Sequence, residues 1–109
     1  MPIPRKEANE FLRKTKLRYG SVSVGDDCEH IDIFSDELPI AAVPEYEKAE
    51  EIGKKHGLSV INQDFGLGEK APPKYETVYS TTCTTLDELR KAPEKIATAI
   101  TELEKEIRI

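Results

Sequence analysis

Cys83 is the residue with the most chemistry to offer. It sits in Ser80-Thr81-Thr82-Cys83-Thr84-Thr85, where a segment rich in β-formers hands over to the start of a helix. The unpaired N–H groups and dipole of a helix N-terminus favour negative charge, and so favour a thiolate over a thiol. The hydroxyl-rich turn suits an anion for the same reason. Arg90 follows, with one residue more between it and Cys83 than the phosphatase-type cysteine loop holds. His30 is the candidate base. Cys83, His30 and Arg90 therefore make up the catalytic set of a small thiol-dependent or anion-binding enzyme, on a spacing that departs from that loop. The plainer reading makes Cys83 a small apolar residue at a strand end, and the threonines strand formers and a helix cap.

Cys28, His30, His56 and Cys83 are all the cysteines and histidines of the chain. A tetrahedral zinc site of two cysteines and two histidines would need all of them. Only Cys28 and His30 are close in sequence, and no C-x2-C pair exists. Residues two apart on a strand share a face, so that pair alone remains a possible half-site. Asp26, Asp27, Glu29, Asp32, Asp36 and Glu37 form an acidic stretch free of basic residues. It lacks the spacing of a calcium loop and reads as a solvated hairpin tip and edge. Gly66-Leu67-Gly68-Glu69-Lys70 does not complete a phosphate-binding pattern. It belongs to a Gly- and Pro-rich loop that is either simply mobile or a recognition flap. No metal and no cofactor is expected.

The net charge of −5 hides an asymmetry. Residues 1–20 carry six basic side chains (Arg5, Lys6, Arg13, Lys14, Lys16, Arg18) against Glu7 and Glu10, a balance of +4; the remainder carries ten basic and nineteen acidic residues, a balance of −9. A basic first element can meet a nucleic acid, but the acidic remainder repels a polyanion, so no nucleic-acid partner is expected. No apolar run is long enough to cross a bilayer, and no apolar signal region follows the first residues. Two cysteines are too few for a disulfide framework, which points to a reducing cytoplasm. Scarce amides (Asn9, Asn62, Gln63), one methionine and abundant Glu and Lys match the usage of heat-adapted proteins.

The elements that must position these residues are legible from spacing. Ala8, Phe11, Leu12, Thr15 and Tyr19 recur at helical steps, predicting a first helix from about Pro4 to Lys16, ended by Gly20. Alternation in 21–24 and 30–34 around Gly25-Asp26-Asp27 predicts a β-hairpin. Pro39–Val43 is a possible third, short strand. Pro44 opens a second helix with Tyr46, Ala49, Ile52, Gly53 and His56 inward, stopped by Gly57. Leu58–Ile61 and Tyr75–Cys83 read as strands on either side of the loop 66–73. Thr85-Leu86-Asp87-Glu88 fits a capping box, and Leu86, Leu89, Pro93, Ile96, Ile100, Leu103 and Ile107 then recur at alternating steps of three and four. Pro93 predicts a kink or break near Ala92, before a long helix to about Arg108.

The chain is thus expected to be one α+β domain over 1–109, with an antiparallel sheet of four to five strands in the order α-β-β-(β)-α-β-β-α. This order, with Thr85-Leu86-Asp87-Glu88-Leu89 leading into a long amphipathic C-terminal helix, resembles the type III secretion chaperone-like fold, including the YbjN-like regulators. The resemblance implies a non-enzymatic, dimeric protein that binds other polypeptides. Leu89, Ile96, Ile100, Leu103 and Ile107 are the candidate interaction residues, as the seam of a homodimer; packing on the chain's own sheet is the competing role for the same stripe.

Overall fold

The computed structural model describes residues 3–66 and 70–107. The sheet is antiparallel, and its elements run β1 (Ile3–Pro4), α1 (Arg5–Thr15), β2 (Arg18–Val24), β3 (Asp27–Phe34), α2 (Val43–His56), β4 (Ser59–Asp64), β5 (Tyr75–Cys83) and α3 (Leu86–Ile107). The molecule is therefore α+β, with helices packed on an antiparallel sheet of five strands. β3 is the hub. One of its edges pairs along β2, and its other edge pairs first with β1 and then with β5, which in turn pairs with β4.

The β2–β3 connection is a two-residue turn. Gly25 supplies the positive φ of 63° at its first position, the geometry whose twist matches a hairpin. Between Val22 and Ser23 the register slips. Val22 faces His30 and Ser23 faces Cys28, so Glu29 is an extra residue bulged out of β3. The bulge is why Cys28, Ile31 and Ile33 are all buried in one core although they are not evenly spaced by two.

All three helices lie on that face. α3 runs over β5 between its neighbours, with α2 beside it over β4 and α1 beside it toward β1. Ala8 and Leu12 of α1, Ala49 and Ile52 of α2, and Leu89, Ala92, Ile96, Ala99 and Leu103 of α3 are buried in the same cluster as Ile3, Ile31, Ile33, Tyr79 and Cys83. Burying each Ile or Leu side chain is worth about 1.5–3 kcal/mol. No described helix is long and apolar enough to cross a membrane.

Several boundaries differ from the sequence expectation, each for a local reason. α1 ends at Thr15, one residue short of the expected Lys16, which takes the left-handed cap with φ 59°, and the helical spacing does not extend to Tyr19. Tyr19 then belongs to β2 and is half exposed. The short strand expected at Pro39–Val43 does not form. Ser35 and Leu38 still donate to the Tyr79 and Thr77 carbonyls of β5, but Pro39 has no N–H to continue the ladder. α3 is continuous through Pro93. A proline inside a helix costs about 3 kcal/mol, less than the five buried apolar side chains of α3 return. Thr85 Oγ1 accepts from the Glu88 N–H at 3.1 Å as the capping box requires, whereas the Glu88 carboxylate accepts from the hydroxyls of Thr84 and Thr85. Leu67, Gly68 and Glu69 of the expected loop, Met1, Pro2, Arg108 and Ile109 lie outside the described residues.

Candidate functional site

The sheet separates the proposed catalytic residues. Ile31 is the cross-strand partner of Cys83, and both are buried under the helices. His30, one position earlier, points to the other face, so it cannot act as base to Cys83. Arg90 is exposed on the outside of α3. Burial first, then the Glu88 carboxylate, pushes the Cys83 thiol up to about 11, the reverse of what a thiolate nucleophile requires. Native protein should resist iodoacetamide at Cys83 near neutral pH and react only on unfolding. Rapid alkylation of the folded chain, located by peptide mass spectrometry, would contradict this burial.

The metal-ligand types are dispersed as well. The bulge at Glu29 places Cys28 on the helix side and His30 on the opposite side, which overturns the shared face expected for that pair. His56 lies at the end of α2, where its Nε2 meets Glu102 Oε1 at 2.8 Å. Among the described residues no group of three or more His, Cys, Asp or Glu is placed to hold a metal ion.

The stripe expected as a dimer seam faces inward. Leu89, Ile96 and Leu103 are within 3% of full burial in the monomer, and Ile100 and Ile107 are partly buried against the same core. Leu89, Ile96 and Leu103 are thus spent on the chain's own core, while Ile100 and Ile107 keep part of their surface.

What the sequence did not signal is the cluster on the sheet's other face. The Arg18 guanidinium donates to both carboxylate oxygens of Glu76 at 3.0 Å, and to the Ser35 carbonyl at 2.9 Å. Its Cζ lies 3.7 Å from the centroid of the Phe65 ring, and Phe65 meets Phe34 edge-on at 5.7 Å. Arg18, the first residue of β2, is thereby fixed by a planar fork and an aromatic face together. Hydrogen bonding from Arg18 is the main cause holding the Glu76 carboxyl below its usual value, with the charges of Arg18 and Lys74 assisting and burial opposing. A lowered folded value gives stability that is present above the ordinary carboxyl pKa of 4.5 and is lost as pH falls through the folded value. Melting temperatures followed from neutral pH down to about pH 3 should therefore fall less steeply for Glu76→Gln than for the parent. Equal slopes would mean the pair carries no pH-linked stability.

With Arg18 anchored, the strand it begins is free along one side. β2 pairs with β3 alone. From Tyr19 to Val24 it has no proline and no charge, the devices that usually blunt an edge. Four large apolar side chains are exposed among the described residues, and two of them, Tyr19 at 49% and Val22 at 45%, are on this strand. By the alternation of the pleat they lie on opposite faces, Tyr19 on the helix side and Val22 on the other. β4, the edge strand at the opposite side, exposes no large apolar residue. Comparison of the chain with known protein families, with curated proteins and with solved structures finds no match.

Proposed function

We propose that this chain is a small non-enzymatic interaction domain that binds another polypeptide along the free edge of β2. The observation that carries the reading is that edge: seven residues with an unpaired side, unguarded by charge or proline after Arg18 and bearing exposed apolar side chains on both faces. An added strand would satisfy its backbone groups and cover Tyr19 and Val22 at once, which is the physics of β-augmentation. The likeness of element order to the chaperone-like fold points the same way. Two buried free thiols suit a reducing cytoplasm. A homodimer is one form of this reading; with Leu89, Ile96 and Leu103 committed to the core, two copies would have to meet on another surface.

Panning a displayed library of random linear peptides against the folded chain tests the reading. Enrichment of peptides that compete with one another for a single site is expected. A library that yields no binder to the folded chain would contradict it.

A further inference from the structure

α1 lies alongside β2 and gives the free edge a sign. Its first residue, Arg5, donates from Nη2 to the Gly25 carbonyl at 2.6 Å, in the turn at the end of β2. Its last turn leads through Lys16 and Leu17 into Arg18 at the start of β2. The helix, about 16 Å long, therefore runs antiparallel to a strand of about 23 Å without covering it, since Ser21 and Ser23 on the helix side of β2 are exposed. With Ala8 and Leu12 turned into the core, helical spacing puts Lys6, Asn9 and Arg13 on the flank that Arg5 fixes toward the β2–β3 turn. Glu7 and Lys14 fall on the other flank, beside the partly buried Phe11, and Glu10 projects away from the core between Lys6 and Lys14. Lys6, Arg13 and Lys16 are exposed and make no ion pair among the described residues, in a chain that carries 21 acidic residues.

We infer that the β2 edge takes an extended peptide whose side chains alternate acidic and apolar, the acidic ones facing α1. This rests on the interaction-domain reading and specifies its partner. A strand paired to β2 places every second side chain on the helix side, the side of the sheet on which α1 carries the exposed Lys6, Arg13 and Lys16. The intervening side chains lie beside Val22. A second copy of this chain fits the edge poorly. Two β2 strands paired about a twofold axis would bring two α1 helices toward each other, each with the same exposed Lys6, Arg13 and Lys16, and like charges brought together repel. Complementary charge instead speeds encounter and selects among extended segments that would otherwise share the same backbone hydrogen bonds.

The test uses the whole chain and a fluorescein-labelled peptide of alternating glutamate and valine, with a lysine–valine peptide as control. Fluorescence anisotropy is expected to show saturable binding of the acidic peptide only, weakened about tenfold as salt rises from ~50 to ~500 mM. Lys6→Glu with Arg13→Glu should weaken it by a further factor of about ten, while leaving the melting temperature nearly unchanged because both side chains are exposed and unpaired. Coupling a bulky maleimide to Val22→Cys, whose thiol would be exposed while Cys28 and Cys83 are buried, should abolish binding. The inference is overturned by equal binding of the lysine peptide, by indifference to the double charge reversal, or by no binding at about 1 mM peptide. It is also overturned if light scattering shows a dimer that the Val22→Cys block disperses, since a second copy then holds the edge. Tighter binding of a single-stranded oligothymidylate would assign the flank to nucleic acid instead. Library binders that lack the acidic alternation would defeat this inference and leave the interaction reading standing; a library without binders would defeat both.

Discussion

Tyr79→Ala should remove about 3–5 kcal/mol of folding stability, the range for deleting a large buried aromatic. Tyr79 is fully buried and joins the sheet to α2 at its centre. Its hydroxyl donates to the Ala49 carbonyl at 2.7 Å, and its backbone N–H donates to Ser35 Oγ at 2.9 Å. Its ring lies against Gly53, where an added Cβ would stand 2.9 Å from Cε1 of the ring and 3.0 Å from the Leu58 carbonyl oxygen. Gly53→Ala is therefore expected to destabilise by about 1–3 kcal/mol, although the same change in an open helix gains about 1 kcal/mol. Tyr79→Phe keeps the ring and loses only the hydroxyl's bond, about 1 kcal/mol. Urea unfolding ranks the three. A stabilised Gly53→Ala would show that α2 and the ring do not approach as described.

Leu103→Ala should cost about 2–5 kcal/mol, and the loss should be independent of protein concentration. Leu103 is fully buried between α3 and the sheet, so its contacts belong to one chain. A side chain at a dimer seam behaves differently, because mass action makes the unfolding midpoint move with concentration. Ile100→Ala, at a partly buried position on the same helix, should cost less. Denaturation curves at two concentrations a hundredfold apart decide the matter. A midpoint for the parent that rises with concentration, and a variant that loses this dependence, would return the stripe to an interface.

The sequence carried the element order well because each helix and strand repeats its own signal many times. β5 matched at both ends, since its nine residues are rich in Tyr, Thr and Val. Gly57 stopped α2 where a left-handed cap was needed, with φ 73°. What escaped were features that depend on partners far along the chain. The bulge at Glu29 is set by pairing with β2 and is invisible in the run of β3, yet it decides which face Cys28 and His30 occupy. β1 is two residues long, too short for any period. Arg18 and Glu76 are joined across 58 positions, and no local pattern pairs them. No break opens at Pro93, because its local cost is fixed while the burial that outweighs it is tertiary. The candidate catalytic set failed for a related reason: type and proximity in sequence are readable, but the side of a sheet is not.

The edge of β2 is where the account is most exposed to test. Amide hydrogen exchange of the folded chain, read by NMR with and without a saturating library-selected peptide, probes it directly. The bound peptide should slow exchange at those amides of Arg18–Val24 that point away from β3, and should leave β4 unchanged. Protection that appears on α3 or β4, with β2 exchanging as in the free chain, would contradict the claim that β2 is the binding edge.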